Sequence, residues 1–67
     1  MTSDRLLTLA EVIARVGLKT TAIYDYMRRG VFPRRIVVGP RCVRWSEREV
    51  QAWIAAQIQR RDERRTT

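Results

Sequence analysis

The sequence predicts a mainly α-helical fold carrying one small β-hairpin, in the order helix, turn, helix, hairpin, helix. Three observations predict it: two capping boxes, T-x-x-E at Thr8–Glu11 and S-x-x-E at Ser46–Glu49; an amphipathic stretch at 20–30 that ends in glycine; and a β-branched run broken by Gly39-Pro40-Arg41. In a capping box the hydroxyl accepts from the amide three residues on while the carboxylate reaches back to the cap amide, so each box marks a helix start.

The first helix is predicted over Leu9–Val16. Leu9, Val12, Ile13 and Val16 recur at i, i+3, i+4 and i+7, and Gly17 stands where a left-handed residue closes a helix. Leu18 is an apolar residue in a tight turn, and the next helix begins at Thr20 or Thr21, which is helix-turn-helix spacing. In that second helix, TTAIYDYMRRG, Ile23, Tyr26 and Met27 form the inward stripe and Gly30 the stop. Thr20, Tyr24 and Arg28 form a row on another side, flanked by Thr21, Asp25 and Arg29. Hydroxyl, phenol and guanidinium groups of this kind bind phosphates and base edges.

Pro33 excludes continuation of the helix. Ile36–Val38 and the alternating Cys42–Trp45 then make a two-stranded hairpin, with Val43 and Trp45 inward and Cys42 and Arg44 outward. Two short strands are marginal alone, so the hairpin must pack on the helices. After the second capping box, Val50, Trp53, Ile54 and Ile58 trace an apolar stripe, and the third helix is expected to end near Arg60. Residues 1–60 thus form one domain, and 61–67 read as a charged, flexible tail without apolar anchors.

Composition narrows the function. A chain of 67 residues makes one domain with a modest core. Cys42 is the only cysteine and histidine is absent, so a single chain builds neither a disulfide framework nor a Cys/His zinc site, and no metal or cofactor is expected. Catalysis finds no residue set: Glu11 and Glu49 have capping duties, and Cys42 is more simply a small strand residue than a nucleophile. Residues 1–5 lack the apolar core of a signal peptide and no stretch approaches the ~20 apolar residues of a membrane span. The expectation is a cytoplasmic protein with no membrane partner, no small-molecule ligand and no enzymatic activity.

The net charge of +7 is unevenly placed. Residues 5–44 hold nine basic groups against Glu11 and Asp25, a net of +7, whereas 45–67 hold five against four, a net of +1; Asp4 completes the sum. A positive field confined to part of a small domain attracts a polyanion. Thirteen of the fourteen basic residues are arginine, which suits bidentate phosphate or guanine contacts, although codon bias gives the same skew.

Specific stretches add a family resemblance: RLLTLAEV at 5–12, VGL at 16–18, AIYDYMRRGVFPRRIVVG at 22–39 and RCVRWSEREVQAW at 41–53. Together and in this order they resemble the AlpA-like phage regulators of the MerR-type winged-helix superfamily, from Arg5 to about Ile58. The resemblance implies a winged helix-turn-helix, with the second helix as recognition helix in the DNA major groove and the hairpin as a wing on the flanking backbone or minor groove. It also implies a phage or prophage setting, and either a transcriptional regulator or an excisionase that bends attachment-site DNA for an integrase. Where relatives commonly carry serine after Gly-Leu, this chain has Lys19, so the helix cap is expected to pass to Thr20, leaving Lys19 for a phosphate.

The expected DNA contacts are therefore Lys19, Thr20, Thr21, Tyr24, Asp25, Arg28 and Arg29 from the recognition helix, with Arg28 the best base reader, and Arg34, Arg35, Arg41 and Arg44 from the wing. Plainer readings stand beside several of these. Asp25 can pair with Arg28 or Arg29 along the helix, Tyr24 can cover the core edge, and Arg44 can pair with an acid such as Glu47. Trp45, Trp53 and Phe32 serve more naturally as core than as stacking platforms for single strands. The expected partner is double-stranded DNA, bound as a homodimer or cooperatively side by side, because one such domain covers one half-site. An integrase is a further candidate partner, and a protein-interaction adaptor is the alternative of another class.

Overall fold

A computed structural model describes residues 4–65. Residues 1–3, part of the stretch read above for a signal peptide, and residues 66–67, the end of the expected tail, lie outside the described residues. The elements follow as β1 (Leu6–Leu7), α1 (Leu9–Val16), α2 (Thr20–Arg28), β2 (Ile36–Gly39), β3 (Cys42–Ser46) and α3 (Glu47–Arg65). The architecture is three helices on a small antiparallel sheet, which bears out a mainly helical fold with a β wing.

The first helix forms as its local chemistry dictates. Thr8 Oγ1 accepts from the Glu11 amide at 3.2 Å while the Glu11 carboxylate accepts from the Thr8 amide at 2.9 Å, so the capping box is complete. Gly17 closes the helix at φ +72°, where a β-carbon would be strained, and its amide bonds the Ile13 carbonyl at 2.8 Å. A short turn through Leu18 leads to α2, where one expectation fails. Lys19, not Thr20, occupies the cap position with extended backbone, no side chain caps the helix, and Thr20 is already helical. A lysine has no acceptor to offer an amide, so the first turn is left open. Lys19→Ser should raise the melting temperature, with a gain of up to ~1 kcal/mol, because the backbone already has the geometry a serine cap uses. An unchanged melting temperature would show that the turn does not admit the cap.

The sheet has three strands rather than two, in the order β1-β3-β2. Leu6 pairs with Ser46 and Leu7 with Trp45 on one side of β3, while Ile36 pairs with Arg44 and Val37 with Val43 on the other, with an irregularity between Val37 and Gly39. The added strand organises the start of α3. Its first amide, Glu47, bonds the Arg5 carbonyl at 2.8 Å, its second, Arg48, the Asp4 carboxylate at 3.2 Å, and its third, Glu49, the Ser46 hydroxyl at 3.2 Å. Ser46 in turn donates to Asp4. Half of the second capping box is thus as expected, with Ser46 accepting from the Glu49 amide, and Asp4, which the sequence pattern does not single out, takes the Arg48 amide beside it.

These bonds favour ionised carboxylates. The Ser46 hydroxyl and the Arg48 amide hold the Asp4 carboxyl below its ordinary range despite some desolvation, and the Thr8 amide does the same for Glu11. A folded-state pKa below the unfolded one contributes stability that is present above the unfolded value and lost as pH falls through the folded one. Melting temperature should accordingly fall on acidification below about pH 4. Asp4→Asn should blunt that dependence; an identical pH profile would remove Asp4 from the account.

The core consists of Leu7, Val12, Ile23, Met27, Phe32, Trp45 and Val50, with Tyr26, Val43, Trp53 and Ile54 packed against it. The inward stripe of α2 and the core role of Phe32 and both tryptophans are borne out. Trp53 also donates to the Val31 carbonyl at 2.6 Å and meets Phe32 edge to face at 4.9 Å. The third helix departs from expectation in two ways. It runs on to Arg65 rather than ending near Arg60, and Ile58, expected on its buried stripe, is 48% exposed. Past Ile54 the helix continues on the propensity of Ala, Gln, Arg and Glu rather than on packing.

Candidate nucleic-acid interface

The fold sets the predicted residues on two adjoining supports. Lys19, Thr20, Thr21 and Arg28 are exposed on or at the start of α2; Arg34 and Arg35 lie exposed just before β2, and Arg41 is exposed at the hairpin tip. Ile23 and Met27 anchor α2 in the core, which fixes the rotation of the helix and hence the row that faces out. At the tip, Arg41 adopts φ +57° next to Pro40.

Four predicted contact residues, Asp25, Arg29, Arg44 and Tyr24, have partners inside the protein. Asp25 is bonded to Arg29 at 3.0 Å one turn away, which realises the intrahelical pairing. Arg44 is half-buried and donates to the Val43 carbonyl at 2.7 Å, while Glu47, its anticipated partner, instead pairs with Arg15 of α1 at 3.0 Å. Tyr24 is half-buried, with its ring 6.3 Å from Trp45 in an edge-to-face contact, so it does cover the core edge. Tyr24 nevertheless keeps one side toward a notch. Between α2 and the root of the wing lies an open cavity of about 510 Å³ lined by Tyr24, Met27, Arg28, Arg34, Arg35 and Val37. Met27 and Val37 were not anticipated there, although the unalternating run Ile36–Val38 was a signal that some apolar strand residues would stay outside; Val37 is 68% exposed.

The charge distribution separates the elements. Among the basic residues at 5–44, Arg5 pairs with Glu11 at 2.9 Å, Arg15 with Glu47 and Arg29 with Asp25, whereas among the described residues no carboxylate pairs with Lys19, Arg28, Arg34, Arg35, Arg41 or Arg44, the last of which is engaged by the Val43 carbonyl. All six belong to α2, its cap or the wing, and all but the half-buried Arg44 are exposed. Such a surface suits an extended anion, since each exposed cation presents its full charge to a ligand without first giving up an internal carboxylate partner.

The class that this architecture defines is the winged helix-turn-helix, in a minimal form with a three-stranded sheet and one long closing helix. Residues 5–58 match the model of the family described as prophage CP4-57 regulatory protein (AlpA), and the chain belongs to that family. It is 38% identical over 58 residues to uncharacterized protein ORF88 of Enterobacteria phage P4, covering 87% of this chain and 66% of that relative. It is 30% identical over 57 residues to the DNA-binding transcriptional activator AlpA of Escherichia coli strain K12, covering 76% of this chain and 81% of that protein. The chain therefore spans about two thirds of the phage relative's length. Among the described residues no helix is long and apolar enough to cross a membrane.

Proposed function

We propose that this chain binds double-stranded DNA in a sequence-specific manner and acts as a transcriptional regulator of phage or prophage type. The observation that carries this reading is the gathering of five exposed cations without a carboxylate partner, Lys19, Arg28, Arg34, Arg35 and Arg41, on α2 and the wing. That the Escherichia coli relative is a DNA-binding transcriptional activator supports the same choice. In this reading α2 enters the major groove with Thr21 and Arg28 toward base edges, Lys19 and the open first turn of α2 take a phosphate, and Arg41 reaches the flanking groove. Asp25, Arg29 and Arg44 act within the protein and contribute little to DNA.

A gel shift with duplexes selected from a random pool tests it. Arg28→Ala should cost ~1–3 kcal/mol and relax the sequence preference at one position, whereas Arg41→Ala should weaken all duplexes alike. Unchanged affinity in both variants would end the proposed placement. Failure of the native chain to retard any duplex, together with stable co-purification of a protein, would favour an adaptor instead. One recognition helix reads one half-site, so binding should be cooperative on paired half-sites. Regulation predicts a change in the output of a promoter carrying the selected site; integrase-driven excision without such a change would make the protein an excisionase.

A further inference from the structure

We infer that Tyr24 is a positioning residue which holds Arg35 across the notch at the root of the wing, and that Arg35 and Arg34 each grip a backbone phosphate there, while Arg28, which lines the notch from the α2 side, serves the bases. This rests on the DNA-binding reading above and assigns one subsite within it.

The geometry forms a stack of three side chains. The Arg35 guanidinium carbon lies 5.8 Å from the centre of the Tyr24 ring, and that ring meets Trp45 edge to face. Trp45 is wholly buried, so the base of the stack is fixed by the core. A guanidinium over an aromatic face is attracted by the ring and can still direct its N–H groups outward in a planar fork, the arrangement that suits a phosphate. An exposed arginine ordinarily gives up considerable side-chain freedom on binding; one already resting on a ring loses less. Arg34 lines the same cavity and, like Arg35, has no carboxylate partner among the described residues. Three arginines line this notch of about 510 Å³, Arg28 from α2 and Arg34 and Arg35 from the wing side, and the two on the wing side, between the helix proposed for one groove and the wing proposed for the next, suit the phosphodiester strand that separates those grooves.

The same observations reassign Tyr24. Its ring is engaged over one face by Arg35 and in an edge-to-face contact by Trp45, so its contribution to binding passes through the arginine rather than through a base contact of its own.

A double-mutant cycle on a random-sequence duplex of about 20 base pairs tests this, with affinity measured by fluorescence anisotropy across a salt series. Arg35→Ala should weaken binding roughly eightfold at about 0.1 M salt and lower the log–log salt slope by about 0.9, the signature of one lost phosphate. Tyr24→Leu should produce at least half of that loss in the native background and none in the Arg35→Ala background. Tyr24→Phe, which keeps the ring, should bind within about twofold of the native chain. An equal loss from Tyr24→Leu in both backgrounds, or a Tyr24→Phe variant as weak as Tyr24→Leu, would overturn the positioning role while leaving DNA binding intact. A native chain that binds no duplex would remove both. Should Tyr24→Leu fail to fold, proton NMR of the native chain gives the answer: Arg35 side-chain signals should carry a ring-current shift and should move on duplex addition. Signals at random-coil positions, or unmoved by saturating duplex, would count against the inference.

Discussion

Trp45→Ala should leave the domain largely unfolded at room temperature. Trp45 is wholly buried on β3, the strand that pairs with both β1 and β2, and its ring supports Tyr24. Truncating a buried tryptophan costs ~3–5 kcal/mol, while a single core in a domain of this size supplies roughly the same amount. Far-UV circular dichroism would show the loss of helix directly, and a melting temperature within a few degrees of the native chain's would refute the assignment of Trp45 as the centre of the core. Trp45→Phe should be much milder. The buried indole nitrogen makes no hydrogen bond among the described residues, so phenylalanine removes an unsatisfied donor as it gives up volume.

The second large effect is on binding. Four cations directed at phosphates in the proposed complex, Lys19, Arg34, Arg35 and Arg41, should each contribute about 0.9 to the slope of log affinity against log salt, about 3.6 in all. A fourfold rise in salt should then weaken binding roughly 150-fold. A slope near one would remove the electrostatic account even if binding itself persisted. Arg29→Ala provides the internal contrast: its charge is matched by Asp25, so the slope should stay close to the native value.

What the residues disclosed in advance follows from the range of the forces involved. The first helix was legible to the residue, because a capping box, an apolar stripe and a closing glycine are all local and all agree. The inward face of α2 was legible for the same reason. Strand β1 was not: two leucines carry no strand signature, and what makes them a strand is pairing with Trp45 and Ser46 far along the chain. The cap of α2 was misplaced by one residue because a threonine stood ready beside a lysine with extended backbone. The third helix outran its expected end because apolar periodicity stops at Ile58 while helix propensity does not.

In the candidate site, the residue types were legible and their pairings were not. Whether Arg44 or Arg15 would reach Glu47 depends on how α1 docks against the start of α3, which no local pattern encodes. Asp25 with Arg29 was foreseeable from one helical turn alone. Tyr24 lay at the boundary between two faces of α2, and only the placement of Trp45 beneath it and Arg35 above it decides what its ring does.

The way Asp4 and Arg5 close over the first turn of α3 bears on how the chain reaches its native state. The bond between Ser46 and Asp4 joins residues 42 apart, and that between Asp4 and the Arg48 amide residues 44 apart. Ordering so long an intervening segment carries a loop-closure entropy that the helices, which form locally, do not incur. The N-terminal strand should therefore be the last piece to dock and the first to release, so that mutations at Asp4 or Leu7 act mainly on the unfolding rate and leave the folding rate nearly unchanged.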